Sequence, residues 1–228
     1  HSDFIVRRAS QNMPIRHPSA PRYVHLDLAT TTKAGLSIGH FVGRQKVVEY
    51  RMGESFENYK MVFEYDFILT IVAGTRSPIC LGKIENFIFW LRDYAGYKFG
   101  RITADQYASE SPLQTLTLGG FEVKVLSLDR TKGPYYNWRS AVQEHRLRLF
   151  RQDELLMEAE TLLDLPDKID HPPEGSKDTI DSAAGAYENG LDHMAKAKVQ
   201  VTGHPDVPTI EVGSSAADED PPLISLNV

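Results

Sequence analysis

The chain has 228 residues, of which 41% are hydrophobic and 25% are charged, a composition typical of a globular protein. Its net charge of −6 argues against a protein that coats nucleic acid through charge alone, although clustered metal-binding carboxylates also lower the charge. The single cysteine excludes an internal disulfide, and no apolar run approaches the roughly 20 residues that span a bilayer.

The first part of the chain is rich in strand patterns. Residues 1–21 show no periodicity and are predicted to be an irregular lead-in or linker. Two strands, Tyr23–Leu28 and Leu36–Val42, follow with a short connection that suits a hairpin. The run Met61–Val72 predicts a third strand, and Lys46–Arg51 predicts a further short one.

Helical periodicity begins in the middle of the chain. Apolar residues spaced by three and four predict a helix over Ile84–Tyr94, which Gly96 ends. A short strand, Arg101–Ala104, leads into a helix that Ser111 caps, with a proline in its first turn. That helix is expected to stop at Gly119.

The rest of the pattern continues the alternation of strand and helix. The predicted elements are a strand over Glu122–Ser127, a helix marked by Tyr135, Trp138 and Val142, an extended piece over Leu147–Phe150, a helix over Asp153–Leu165, and a last helix that Ser176 caps and that runs through Tyr187. This order predicts an α/β fold, a mixed sheet with helices on its faces, over residues 22–202. Residues 203–228, acidic and proline-containing, are predicted to be a flexible or interaction tail.

Four aspartates are candidates for chemistry because of their positions. Asp27 lies in an otherwise apolar strand, Asp105 follows a short strand, and Asp178 and Asp181 lie in the first turns of the last helix. A charge in a core strand is costly unless a partner such as a metal ion offsets it. Mg²⁺ prefers oxygen ligands, and two such ions can support phosphodiester cleavage. Each acid also has a structural interpretation, as a strand end, a loop partner or a favourable charge near a helix N-terminus.

Other acids and motifs give weaker indications of function. Four other aspartates have the positions of ordinary strand-edge, turn or cap residues, namely Asp66, Asp129, Asp153 and Asp170, and among them Asp66 stands out because it lies within a strand run. The sequence has no GxxxxGK[ST] phosphate loop, no CxxC pair, no HExxH and no GxSxG elbow, so an ATPase, a zinc site or an α/β-hydrolase triad is not indicated. His171 is either a loop residue or a contact to DNA or metal.

Four stretches, in order, resemble the nuclease domains of phage large terminases. They are Tyr23–Ala29 with Ala34–His40, Ile102–Tyr107, Ser127–Arg139, and Asp170–Ala186 with its Ser176-Lys177-Asp178 and Asp181-Ser182-Ala183 segments. Together they span residue 22 to about residue 187. Relatives that carry a further acid shortly after the first strand differ from this chain, which has Thr30-Thr31-Thr32-Lys33 there.

The resemblance implies an RNase H-like fold, with helices on both faces of the sheet, and a metal-dependent endonuclease that cuts concatemeric viral DNA during genome packaging. It assigns Asp27, Asp105 and Asp178 as the catalytic and metal-binding triad, with Asp181 as an auxiliary that could exchange roles with Asp178. The implied cofactors are Mg²⁺ or Mn²⁺, with two ions. The implied partners are double-stranded DNA, the ATPase half of the same protein, the small terminase subunit and the portal, with no membrane, in the host cell cytoplasm.

Alternatives stay open at this point. Another RNase H-like nuclease, of the resolvase or transposase type, fits the strand order and the acids, and a docking module for packaging partners fits the acidic tail. Several basic residues are candidates for phosphate contacts, against the alternative of solvated surface charge, namely Lys33, Arg44, Lys46, Arg130, Lys132, Arg139 and Lys177.

Overall fold

The computed structural model describes residues 17–106 and 109–200. In these ranges strands and helices alternate after a long β-hairpin: β1 Arg22–Asp27, β2 Lys33–Arg51, β3 Glu54–Val72, α1 Leu81–Asp93, β4 Phe99–Ala104, α2 Glu110–Leu118, β5 Val123–Val125, α3 Gly133–Gln143, β6 Leu147–Arg148, α4 Asp153–Thr161, β7 Leu163–Asp164, β8 Ile169–Asp170 and α5 Asp178–Gln200. None of the helices in this described part combines the length and apolar character that crossing a bilayer requires.

One mixed sheet organises the fold. Its strand order is β5-β4-β1-β2-β3-β6, and β7 pairs with β8 in a separate two-stranded sheet. β1 lies at the centre, antiparallel to β2 and parallel to β4. In this register Leu26 lies between Leu36 on one side and Ala104 on the other. An apolar strand paired on both edges is what a central position in a covered sheet requires.

Side chains alternate between the two faces of the sheet, and each face has its own core. Val24 and Leu26 of β1 point into a cluster with α1 and α2. Tyr23 belongs to the opposite cluster, with residues of α3, α4 and α5. Because successive side chains of a strand point to opposite faces, a central strand with apolar residues at both phases needs helices on both sides. The predicted arrangement, with helices on both faces, is confirmed.

Two glycines allow α5 to lie directly on the sheet. A Cβ atom on Gly35 would be 1.9 Å from the carbonyl oxygen of Asp178, and one on Gly185 would be 2.3 Å from the ring of His25. Contacts this short leave no space for a side chain, so glycine is required at both places. The close approach brings the first turn of α5 next to the ends of β1 and β2.

β2 and β3 form a hairpin longer than the sequence patterns predicted. The expected separate strand over Lys46–Arg51 is wrong, because β2 continues unbroken from Lys33 to Arg51. A register shift between Phe41 and Gly43, a β-bulge, interrupts the alternation and imitates a strand end. Met52 and Gly53 close the hairpin with φ angles of 51° and 84°, the left-handed pair that a tight two-residue turn requires.

Several predicted helix ends differ from the structure. α2 begins at Glu110, so the capping position belongs to Ser109 and not to Ser111. α4 ends at Thr161 and not at Leu165, because residues 163 and 164 pair with β8 instead. α5 continues past Tyr187 to Gln200, since its buried face extends beyond the last predicted apolar residue to the buried Asn189.

Strand lengths on the sheet edge also differ, and parts of the chain are not tested. The edge strands are shorter than predicted: β5 covers Val123–Val125 and β6 only Leu147–Arg148. The predicted tail and residues 1–16 of the predicted lead-in lie outside the described residues. The predicted domain bounds, 22–202, stay a prediction.

Asp66 is not the ordinary strand-edge residue that the sequence suggested. It lies in the interior of β3 with 4% exposure. Its Oδ2 accepts hydrogen bonds from Nδ1 of His40 at 2.9 Å and from Nε of Arg22 at 3.3 Å. A buried charge held by a fully buried arginine is a structural pair, so Asp66 has no part in the cleft described below.

Candidate active site

One cleft, with a volume of about 1180 Å³, collects acidic side chains from separate parts of the chain. Its acidic lining residues are Asp27, Asp105, Asp129, Glu154, Glu158, Glu174, Asp178 and Asp181. All four aspartates predicted from the sequence are among them. The cleft lies outside the carboxyl ends of the parallel strands β1 and β4, the place where open α/β sheets bind ligands.

Backbone pairing brings the first two aspartates together. Asp27 is the last residue of β1, and Asp105 directly follows β4. The two strands are parallel neighbours, with Leu26 opposite Ala104, and the amide of Asp105 donates to the carbonyl of Leu26 at 3.2 Å. Two acids that are far apart in the sequence therefore end neighbouring strands at the same edge of the cleft.

Asp27 has the most perturbed ionisation among these acids. Burial, together with the negative charges of Asp181, Asp178 and Asp105, raises the pKa of the Asp27 carboxyl to about 8, against the lowering effect of Lys177. Burial and like charges both disfavour an ionised carboxylate. A strand-end acid that only bonded to loop amides would have the opposite shift, so the purely structural interpretation of Asp27 is weakened.

Asp181 lies deeper, and partners on two sides hold it. It is 7% exposed. The hydroxyl of Tyr135 donates to Oδ1, and Nζ of Lys177 lies 3.2 Å from Oδ2. Burial raises the pKa of Asp181 to about 7, against the lowering effect of Lys177 and Tyr135. Lys177 also pairs with Asp129 at 2.5 Å, which brings this acid, predicted to be an ordinary turn residue, to the edge of the site.

Asp178 is the first residue of α5, and the side chain of Glu158 caps the N-terminus of that helix. The backbone amides of Thr179 and Ile180 both donate to Oε2 of Glu158 at 2.9 Å. The predicted cap, Ser176, instead donates its hydroxyl to Oε1 of Glu158 at 2.8 Å. A carboxylate on another helix thus satisfies the free N–H groups of α5 and interacts favourably with its dipole. Burial raises the pKa of Asp178.

The predicted basic residues divide into two groups. Lys33 and Lys177 line the cleft, where Nζ of Lys33 donates to Glu154 and, at 3.0 Å, to Ser176. Outside the cleft lining, the side chains make other contacts: Arg130 donates to Gln106, Lys132 pairs with Asp164, Lys46 pairs with Glu57, Arg139 lines a smaller apolar pocket, and Arg44 lies on the long hairpin.

Sequence reasoning missed Glu158, Glu154 and Tyr135 as neighbours of the site. Glu158 lies on the buried side of an amphipathic helix and is 2% exposed. A glutamate on the apolar face of a helix is the signal that could have identified it, because a buried acid needs partners. In the sequence Tyr135 marks the apolar face of α3 and lies in one of the stretches that carry the family resemblance, but neither pattern predicts its contact with Asp181.

The donor set suits a hard cation, although it is not assembled into a coordination sphere. In residues 17–106 and 109–200 no three acidic, histidine or cysteine side chains are gathered tightly enough to hold a metal ion. Oxygen donors from β1, the end of β4 and α5 nevertheless line one cleft, and their mutual repulsion is the condition that a divalent ion relieves. In composition, therefore, these residues fit Mg²⁺ or Mn²⁺.

No family model and no curated protein matches the sequence. Among solved structures, the chain is similar to the large terminase of bacteriophage HK97, with 12% identity and a TM-score of 0.54, over 76% of this chain and 40% of that one. It is also similar to the large terminase of a thermophilic bacteriophage, solved in complex with ATP-gamma-S, with 14% identity and a TM-score of 0.56, over 78% of this chain and 42% of that one. A third match, the P22 large terminase nuclease domain, has 12% identity and a TM-score of 0.45, over 79% of this chain and 90% of that one.

These comparisons define a class of fold. Over the matched region the chain has the same fold as the first two large terminases and spans about two fifths of their length, and the expected α/β class, a mixed sheet with helices on both faces, is confirmed. At identities this low the likeness concerns the fold, and function has to be argued from the cleft.

Proposed function

We propose that this chain is a metal-dependent endonuclease domain that cuts double-stranded DNA, of the kind that cleaves concatemeric viral DNA during genome packaging. One observation carries the proposal: acids from three separate stretches of the chain line a single cleft, at the edge where this fold builds its sites. The fold that the chain shares with two phage large terminases supports the same activity.

Asp27, Asp105 and Asp178 are the proposed ligands for Mg²⁺ or Mn²⁺, and Asp181 is the auxiliary. When bound, a pair of such ions supplies the positive charge that favours attack on a phosphodiester and departure of the leaving oxygen. The chain itself positions the acids, through the pairing of β1 with β4 and the cap that Glu158 places on α5. Lys33, which lines the same cleft, is suited to contact a backbone phosphate.

The remaining partners follow from the same proposal. They are the ATPase half of the same protein, the small terminase subunit and the portal, and the compartment is the host cell cytoplasm. Support comes from the chain covering only 40% and 42% of the two large terminases it resembles. Phosphate contacts from the remaining candidate bases, such as Arg130, would add affinity without sequence specificity.

Cleavage of a supercoiled plasmid tests the proposal. The chain is incubated with plasmid and Mn²⁺ or Mg²⁺, and EDTA is added to parallel reactions. We expect nicked and linear products only with metal, and their loss in Asp27→Asn, Asp105→Asn and Asp178→Asn. Asp93→Asn is the matched control, because Asp93 is an exposed partner of Arg92 at the end of α1 and lies outside the cleft.

Two outcomes would contradict the proposal. If metal gives no products, or if Asp27→Asn cuts as the wild type does, the chain is not a nuclease of this type. A parallel assay compares linear duplexes with four-way junctions. Strong preference for junctions would assign the cleft to a resolvase-type enzyme, whereas cleavage of linear duplexes supports the packaging role.

A further inference from the structure

Lys177 has an unusual place for a lysine. Its side chain is only 12% exposed, and its ammonium group lies among oxygen atoms from α3, α5 and the connection between β5 and α3. Nζ is 2.5 Å from Oδ1 of Asp129, 3.2 Å from Oδ2 of Asp181 and 3.2 Å from the hydroxyl of Tyr135. It also lies 5.7 Å from the centre of the Tyr135 ring. A compact ammonium with three donors fills this position as a bound cation would.

The same contacts occupy the carboxylate of Asp181. Both carboxylate oxygens of Asp181 are engaged, one by Tyr135 and the other by Lys177. Asp181 lies one helical turn after Lys177, so the two share a face of α5, and the pairing is local and pre-formed. As long as the ammonium holds this place, a metal ion has to compete with it for Oδ2 of Asp181.

Asp129 offers the ammonium a second position. Its side chain is 53% exposed, whereas that of Asp181 is 9% exposed, so the two partners of Lys177 lie on the outer and inner sides of the group. A flexible four-carbon stem lets the ammonium keep its contact with Asp129 while it leaves Asp181. The ammonium of Lys177 can therefore move away from Asp181 and still keep its ion pair with Asp129.

We propose that Lys177 is the internal counter-ion of the cleft, and that a divalent ion displaces its ammonium from Asp181 before Asp181 becomes a ligand. This inference rests on the proposed function, since it concerns the same metal site. A divalent ion at Oδ2 of Asp181 would lie close to the ammonium of Lys177, and the two positive charges would repel each other. Lys177 thus stabilises the acids in the absence of metal and competes with metal when it is present. It is a positioning residue.

Isothermal titration calorimetry with Mn²⁺ alone tests whether the ammonium of Lys177 competes with a divalent ion for Asp181. Lys177→Met and Lys177→Gln remove the charge and keep a similar side-chain length. We expect both variants to bind Mn²⁺ about tenfold more tightly than the wild type, which corresponds to the loss of one partly buried ion pair. We also expect both to melt at a lower temperature without metal, because Asp181 loses its counter-ion. Lys177→Arg should keep the wild-type affinity.

Lys132→Met is the matched control, because Lys132 forms a similar pair with Asp164 outside the cleft lining. Its Mn²⁺ affinity should equal that of the wild type. Unchanged or weaker Mn²⁺ binding in both neutral variants would overturn the inference, and a merely structural lysine would give this result. If the wild type binds Mn²⁺ and Asp27→Asn does not, the proposed function survives such a failure. If the wild type neither binds Mn²⁺ nor cuts plasmid, both proposals fail.

Discussion

Replacement of Asp27 by asparagine is expected to stabilise the protein while it abolishes metal-dependent cleavage. Burial and three neighbouring acids raise the pKa of Asp27 from 3.8 to about 8. In the folded state the proton is therefore held more tightly than in the unfolded chain, so ionisation opposes folding between these two pH values. Each unit of such a shift corresponds to about 1.4 kcal/mol.

The sign of the effect determines the pH window. Stability of the metal-free protein falls as the pH rises from about 4 towards 8, because the unfolded chain releases the proton first. An asparagine side chain cannot ionise, so the Asp27→Asn variant should lose this slope. Side-chain relaxation and coupling to Asp181 reduce the full electrostatic penalty, and we expect a gain of about 2 kcal/mol at pH 8 that shrinks towards pH 4.

Urea unfolding of the metal-free protein at pH 4, 6 and 8 measures this difference. Asp93→Asn is the control, because its carboxylate is exposed and its pKa is lowered by the hydrogen bond from Arg92. That variant should show no gain as the pH rises. A lower or unchanged stability of Asp27→Asn at pH 8 would refute the argument that crowding and burial strain this carboxyl.

Substitutions at Glu158 and Gly185 test how α5 is held. Glu158→Ala removes the acceptor of two backbone amides and of Ser176, and should lower the free energy of unfolding by about 3 kcal/mol, whereas Glu158→Gln keeps one carbonyl oxygen and should cost about 1 kcal/mol. Equal effects of the two in urea unfolding would argue against the cap. Gly185→Ala places a Cβ 2.3 Å from the His25 ring and should cost about 2–3 kcal/mol, seen as a lower midpoint in the same assay. Gly82→Ala in α1, with no atom within 4 Å of the added Cβ, should be neutral or slightly stabilising, and an unchanged midpoint in Gly185→Ala would contradict the close contact between α5 and His25.

The expected behaviour of Asp27 illustrates a general feature of such sites. Acids collected for a cation repel one another when the cation is absent, so the metal-free fold gives up stability at the cleft. In this chain Lys177 and Tyr135 offset part of the cost at Asp181, and Glu158 offsets the free amides at the start of α5. Metal binding should therefore raise the melting temperature, since it stabilises only the folded state.

The sequence by itself determined the class of fold and the order of its elements. Alternation in Tyr23–Leu28 and the three-and-four spacing in Ile84–Tyr94 are local signals, because burial of one face imposes them residue by residue. The four aspartates could also be identified from the sequence as residues at or near the ends of elements, because a charged residue next to an apolar run is easy to recognise there. The ends of the elements were harder to predict. The β-bulge at Phe41–Gly43 resembles a strand end in the sequence, and the strand that follows α4 is defined only by its pairing with β8.

Only the tertiary structure decided which of these groups meet. Pairing of β1 with β4 brings Asp105 beside Asp27, and the glycine contacts of α5 bring Asp178 and Asp181 to the same edge. Glu158 acts as a cap from another helix, and Lys177 reaches Asp129 across 48 positions of sequence, so neither role has a local pattern. Contacts between distant segments depend on how the packed faces are oriented, and one-dimensional periodicity records which face is buried but not what it is buried against.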